Sequence, residues 1–399
     1  INYFFRSFLE LLNAFSIKPE LPQDFQGFYD PDKYRRSQEY LRQNTYFKIV
    51  HDSFFTLIIL VFIISGLFNF IDQIIRAEIT VELLRGLIFA GIIFFIFQIL
   101  EIPFSIYHTF FLEQRFGFNR TTPKTFILDL LKTWLLTLII AGFALSAVFW
   151  FFMKAGGLAW VWCWLFVTAF QILLMFVAPV IIMPLFNKFT PLEEGELRTA
   201  IEDYARAEDF KLAGIFTMDG SKRSTKSNAF FTGFGKSRRI VFFDTLIANH
   251  SLSELVSILA HEMGHYKRKH ILKYIAISIF TNGMMFFILS LFINNPLLFE
   301  AFKMKELSVY ASLLFFSFLY TPINLILSIG LTSLSRRHEY QADKYAVLTY
   351  KHPDSFIQAL KKLTVDNLSN LTPHPLKVFI DYTHPPVLKR IQAIKAIQL

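Results

Sequence analysis

Six stretches of this chain are so long and so apolar that water cannot be their main solvent. A helix needs about 20 mainly apolar residues to cross the hydrocarbon core of a bilayer. Runs of that kind lie near Phe54 to Ile71, Leu84 to Tyr107, Trp134 to Met153, Ala159 to Phe186, Ile271 to Ile293 and Ser308 to Leu334. Residues Ile1 to Phe15 are apolar but short and carry Arg6 and Glu10, and they read as the remnant of a seventh, first-placed span. Only 18% of the 399 residues are charged and 54% are hydrophobic, so the polar groups are too few to cover an ordinary soluble domain. The 49 phenylalanines suit a surface that meets lipid or lipid-like ligands. The expectation is therefore a mainly α, multi-pass membrane protein of about seven transmembrane helices, with the lipid bilayer as its first partner.

The formal charge of +9 does not point to nucleic acid, because Lys and Arg sit between the apolar runs and not in one tract. If all seven segments cross, one side receives Lys33, Arg35, Arg36 and Arg42, then Arg115, Arg120, Lys124 and Lys132, then the long polar segment after Phe186 and the tail. The opposite side receives little beyond Arg76, Arg85, Lys154, Lys303 and Lys305. The positive-inside bias then places the polar segments in the cytoplasm. The segments before Ile271 and after Leu334 are separated by two crossings, so they emerge on one face and their residues can meet. The single cysteine, Cys163, excludes an internal disulfide or a cysteine metal cluster, so any metal must be held by His and carboxylates.

Four parts follow: a membrane domain of five spans over 1–186, a soluble insertion over 187–270, two further spans over 271–334, and a C-terminal catalytic segment over 335–399. Within the insertion, Pro191 to Ala207 has helical character, whereas Phe216 to Met218, Asn228 to Thr232 and Arg239 to Phe243 read as short strands. The last two are joined by a turn containing Gly233 and Gly235. Ser251 with Glu254 spells a capping box that starts a helix through Leu255, Ile258 and Leu259.

That helix runs into His261-Glu262-Met263-Gly264-His265. Histidines four apart project from one helical face with the spacing needed to share a tetrahedral Zn2+, and Glu262 beside them can take the proton of a water activated by the metal. A structural pair of surface histidines is the plain alternative. A catalytic zinc takes three protein ligands and keeps one open position. Glu339, in the sequence Arg336-Arg337-His338-Glu339-Tyr340-Gln341-Ala342-Asp343, is the candidate third ligand. It lies on the same membrane face as the histidines and forms an i, i+4 pair with Asp343, which is placed to orient a ligand histidine or assist proton transfer. His338 points to another helical side and reads as a surface or structural residue. In isolation this segment would be a solvated charged helix face.

Further segments accompany these: Phe186-Asn187-Lys188-Phe189-Thr190-Pro191-Leu192, Ser227-Asn228-Ala229, Arg239-Ile240-Val241-Phe242-Phe243-Asp244-Thr245 and His384-Pro385-Pro386. With them, and with Tyr34 to Tyr40 and Glu113 to Asn119, the chain from about Tyr29 to its end resembles the CAAX prenyl protease 1 family, membrane zinc endopeptidases that trim prenylated proteins. The resemblance implies seven helices around a large intramembrane chamber, one zinc at its cytoplasmic end, and cleavage near a prenylated carboxy terminus. It implies His261, His265 and Glu339 as metal ligands, Glu262 as catalytic base and Asp343 as support for proton transfer. Asn228 and Ala229 would bind the substrate, Asn228 by hydrogen-bonding the substrate's backbone, while His384 and Arg390 would stabilise an oxyanion or orient the site. The location implied is the endoplasmic reticulum membrane in a eukaryote or the inner membrane in a bacterium.

From the residues alone, Asn228 is equally a turn residue or the start of a strand whose edge an extended peptide joins. His384 before two prolines would by default mark a structural turn. Glu101, beside Pro103 in an apolar run, favours a hydrated cavity or lies at the end of a span. Two other functions compete with the family reading: a quality-control zinc protease using the same residues, and a transporter whose histidine motif binds a structural metal. Transport has no need of Glu262 between two ligands, whereas hydrolysis does.

Overall fold

The computed structural model describes residues 2–233 and 238–398. Among them six helical segments are long and apolar enough to cross a membrane: Pro31–Ser65, Glu82–Glu113, Pro123–Lys154, Gly156–Phe186, His270–Phe292 and Val309–Tyr350. In chain order the helices are α1 (Asn2–Phe15), α2 (Pro31–Ser65), α3 (Leu67–Glu78), α4 (Glu82–Ile106), α5 (Pro123–Lys154), α6 (Ala159–Val177), α7 (Met183–Phe186) and α8 (Glu196–Ala207). Then follow α9 (Asp244–Asn249), α10 (Leu252–Lys267), α11 (His270–Phe292), α12 (Pro296–Ala301), α13 (Val309–Tyr350), α14 (Pro353–Asp366), α15 (Pro375–Asp381) and α16 (Val387–Lys395). The strands are β1 (Phe189–Pro191), β2 (Gly214–Met218), β3 (Ala229–Thr232) and β4 (Arg239–Phe243).

Local chemistry fixes the ends of the spans. The Asp30 carboxylate accepts from the backbone N–H of Asp32 and Lys33 while Pro31 fills the first turn, which starts α2 well before the apolar run. Gly66, at φ 72°, closes α2 in the left-handed conformation that glycine adopts without strain. The expected span of Phe54 to Ile71 is therefore two helices. α3 turns aside and buries Phe68, Ile71 and Ile75, the i, i+3, i+7 stripe of a helix lying on a core. α4 continues through π-helical turns at Tyr107–Glu113, and α6 reaches α7 through π-helical turns at Ala178–Ile182 around Pro179, which has no N–H to give. The 14 described residues of α1 pack on α2 and α15. Ile1 lies outside the described residues.

At most 17% of the most apolar window of each span is buried. Most of the apolar side chains of the spans, Leu57, Ile139, Phe143 and Leu173 among them, are thus left uncovered by the rest of the protein. Glu101 is partnered inside this assembly: His51 Nε2 lies 2.9 Å from its Oε2, and His51 Nδ1 lies 3.0 Å from Asp52 Oδ1. A carboxylate at that depth is tolerable because of this pairing.

The four strands form one sheet in the order β1-β2-β4-β3. β1 and β3 run antiparallel to their neighbours, whereas β2 and β4 are parallel. β1 departs from the sequence expectation, which ran a helix from Pro191. Pro191 instead pairs with Phe216 at the sheet edge, where its missing N–H costs no ladder bond, and α8 begins at Glu196. Of the expected turn, Gly233 has φ 83°, and Gly235 lies outside the described residues.

Beneath the sheet, Leu255, Leu259 and Met263 of α10 pack with Ile240 and Phe242 of β4, Ile201 of α8, Phe356 of α14 and Ile391 of α16. Each such buried side chain contributes about 1.5–3 kcal/mol. The Ser251–Glu254 capping box is present, with both reciprocal bonds made. α13 is one unbroken helix from the apolar span to the polar side, and it crosses α10 at Gly264. A Cβ added there would stand 2.9 Å from Ala342 Cα and 3.1 Å from its carbonyl oxygen, both backbone atoms that cannot swing aside. Gly264→Ala is expected to destabilise the protein by about 1–3 kcal/mol in thermal unfolding in detergent. Gly91→Ala, on α4 with nothing within 4 Å, is expected to be neutral or stabilising.

Candidate metal centre and catalytic pocket

The close crossing of α10 and α13 sets two turns of one helix against one turn of the other. His261 and His265 face Glu339: the two Nε2 atoms are 3.2 Å apart, His261 Nε2 is 3.4 Å from Glu339 Oε2, and His265 Nε2 is 3.2 Å from Glu339 Oε1. One ligand atom from each of the three residues lies within 4.8 Å of the others, a group able to hold a metal ion. Glu339 is 3% exposed, and its Oε2 accepts no hydrogen bond among the described residues. A buried carboxylate oxygen left that way is costly unless a cation takes up its charge.

Asp343, one turn beyond Glu339, stands 2.8 Å by Oδ1 from His261 Nδ1. Arg390 on α16 grips the same carboxylate with both ends, Nε to Oδ2 at 2.9 Å and Nη2 to Oδ1 at 2.6 Å, and its Nη1 lies 3.5 Å from Glu339 Oε2. Burial alone would make the Arg390 guanidinium easier to deprotonate, but the carboxylates of Asp343 and Glu339 outweigh it and hold the group protonated. Glu262 is half-buried on the wall of the pocket, and burial pushes its carboxyl up from the ordinary range, with His261 and His265 opposing. His384 is exposed and brings Nε2 to 3.4 Å from Glu339 Oε1.

These groups open into a cavity of about 510 Å³ whose wall includes Asn228, Ala229, Glu262, Tyr382, His384 and Arg390. Every site residue expected from the sequence is therefore in one place: His261, Glu339 and Glu262 at the pocket wall with His265 beside them, Asp343 behind His261, and Asn228 and Ala229 at the start of the edge strand β3. Asn228 gives its carbonyl to Phe243 N–H at 3.0 Å, and its side-chain oxygen accepts from Ala229 N–H at 2.9 Å. His338 is not a surface residue: it is 2% exposed, because its ring stacks on His270 at the start of α11.

Two positioning residues escape sequence reasoning. Arg336 donates to the carbonyls of Val378 and Tyr382 through Nη1, at 2.9 and 2.7 Å, and to Phe379 through Nη2 at 3.2 Å. It thereby ties the helix of Glu339 to the loop of His384. Asn367 accepts from Ser227 N–H at 3.2 Å and donates to Ser227 carbonyl at 3.4 Å, just ahead of Asn228. In sequence the first is one basic residue in a polar run, and the second an ordinary asparagine.

Asp343→Ala leaves the buried Arg390 without its main partner and is expected to cost about 3–5 kcal/mol in thermal unfolding, with Asp343→Ala/Arg390→Met recovering part of that loss.

Comparison with known proteins gives a consistent result. Residues 12–188 match the family model described as CAAX prenyl protease N-terminal, five membrane helices, and residues 191–398 match that of peptidase family M48. A CAAX prenyl protease 1 homolog of Arabidopsis thaliana is 35% identical over 99% of this chain and 95% of its own length. CAAX prenyl protease 1 of Saccharomyces cerevisiae is 34% identical over 94% and 88%. The crystal structure of S. mikatae Ste24p superposes with a TM-score of 0.93 at 32% identity, covering 98% of this chain and 96% of that one.

Proposed function

The chain belongs to peptidase family M48 and is a multi-pass membrane metalloendopeptidase; on that footing we propose that it is a zinc enzyme that cuts near the carboxy terminus of prenylated, CAAX-type proteins. The observation that carries the zinc reading is the cluster of donor atoms. Zinc bound tetrahedrally at about 2.0–2.1 Å has its ligand atoms about 3.4 Å apart; the two Nε2 atoms are 3.2 Å apart, and Glu339 brings Oε2 to 3.4 Å from His261 Nε2 and Oε1 to 3.2 Å from His265 Nε2. Two imidazoles and a carboxylate are also the donor set of zinc peptidases, and His261 and Glu339 line the pocket.

When bound, zinc polarises the scissile carbonyl and makes a water acidic enough to attack it. Glu262 accepts the proton of that water and returns it to the nitrogen of the leaving fragment as the C–N bond breaks. Asp343 accepts from His261 Nδ1–H, which leaves Nε2 free to bind the metal. Arg390, with two donors committed to Asp343, orients the site, whereas the exposed His384 over the pocket is the group free to meet negative charge developing on the substrate oxygen. The peptide joins the edge of β3 at Asn228 and Ala229.

The relatives' names support a substrate that arrives with a lipid tail, and the eukaryotic relatives support the endoplasmic reticulum membrane with the site on the cytoplasmic side. The segments 1–186 and 271–334 would form the membrane enclosure, and 187–270 and 335–399 the two halves of the catalytic centre.

Glu262→Gln is expected to retain one zinc per chain by elemental analysis while losing about 10²–10⁴-fold in cleavage of a prenylated peptide. Undiminished cleavage by that variant would remove the peptidase mechanism. Wild-type enzyme given matched prenylated and unprenylated peptides is expected to favour the prenylated one, and equal kcat/KM values would overturn the substrate assignment while leaving the chemistry standing.

A further inference from the structure

His261 has a carboxylate behind it, but among the described residues no carboxylate pairs with His265 Nδ1. Its Nδ1 instead faces another imidazole. Lys269, at φ 58°, turns the chain between α10 and α11, and this turn folds His270 back until its Nδ1 is 3.1 Å from His265 Nδ1. His270 is 1% exposed. Its other nitrogen, Nε2, is 2.9 Å from Gln341 Oε1 on α13, and its ring stacks on His338 at 3.8 Å between centroids, 10° from parallel.

Two ring nitrogens at hydrogen-bond distance require one proton between them, and the surroundings decide which ring carries it. The carbonyl oxygen of an amide only accepts, so Gln341 Oε1 requires a hydrogen on His270 Nε2. A neutral His270 then has a bare Nδ1, which accepts from His265 Nδ1–H. That leaves the lone pair of His265 on Nε2, the nitrogen that faces His261 Nε2 and Glu339. The opposite arrangement, with the Gln341 amide turned to donate, moves each hydrogen along by one atom and puts it on His265 Nε2, where it blocks ligation. Only one of the two arrangements is compatible with His265 as a ligand.

We propose that Gln341 and His270 form a two-step hydrogen-bond relay that holds His265 in its metal-binding tautomer, doing for this ligand what Asp343 does for His261. His270 is thus a positioning residue, reached from a third helix, and the inference rests on the zinc-site reading above. The difference between the two partners matters. Asp343 brings negative charge to one ligand and is balanced by Arg390, whereas His270 orients the other ligand without adding charge.

The test is zinc affinity of the full-length protein in detergent, measured by competition with a chelator, together with the melting temperature of the chelator-treated protein. His270→Phe keeps a ring to stack on His338 and removes the acceptor. His270→Asn gives up the ring but places an amide oxygen close to the position of Nδ1. The relay predicts about 10–100-fold weaker zinc binding for His270→Phe and recovery of most of that loss in His270→Asn. A purely packing role predicts the reverse order, and that result, or unchanged affinity in His270→Phe, would overturn the proposal. Gln341→Leu, on an exposed helix position, is expected to weaken zinc several-fold while leaving the melting temperature of the chelated protein unchanged; no loss of affinity in that variant also counts against the relay. A wild-type protein that binds no zinc would sink the zinc-site reading itself, whereas zinc-loaded wild type with an unaffected His270→Phe sinks only the relay.

Discussion

The close contact of α10 with α13 at Gly264 and Ala342 is the constraint on which the site depends. A helix pair normally keeps its axes about 8–10 Å apart, with side chains filling the gap. Here the missing Cβ lets one backbone sit on the other, and the residues one turn to either side come within reach of a common point. His261 and His265 on one helix then face Glu339 and Asp343 on the other. Arg390, His384 and Asn228 reach the centre from separate elements, but each is oriented toward a geometry that this contact has already set.

Much of this was legible beforehand, and the reasons differ from residue to residue. His261, Glu262 and His265 could be read because a helical repeat places them on one face whatever surrounds them. Glu339 could be read because two crossings return the chain to the same side, a counting argument that needs no detail of packing. The capping box at Ser251 is equally local. What escaped reading was set by neighbours distant in sequence. Hydropathy is blind to the left-handed glycine that splits Phe54 to Ile71 into α2 and α3. The three-residue strand at Phe189 exists only because β2 is there to pair with it. His338 was assigned to an outer helical side correctly as an angle, but α11 lies on that side, so the ring is buried.

The centre is also organised by matching charges in a place poor in water. Glu339 and Asp343 bring two carboxylates, and Arg390 answers with one guanidinium that touches both. A bound metal cation would supply the remaining positive charge. Buried ions are tolerable only when each has such a counterpart, so α10, α13 and α16 form a single electrostatic unit around the site.

The clamp of Asn367 on Ser227 bears on where a peptide can lie. In the β3–β4 ladder Asn228 pairs with Phe243, so the residues to either side of it, Ser227 and Ala229, turn their backbone groups away from β4 toward the open edge. At Ser227 both groups are already satisfied by a side-chain amide, which has the donor and acceptor of a peptide bond. The Ala229 N–H is likewise taken, by the Asn228 side chain, so a strand added at this edge would find the Ala229 carbonyl and the backbone groups of Phe231 open and the edge closed at Ser227.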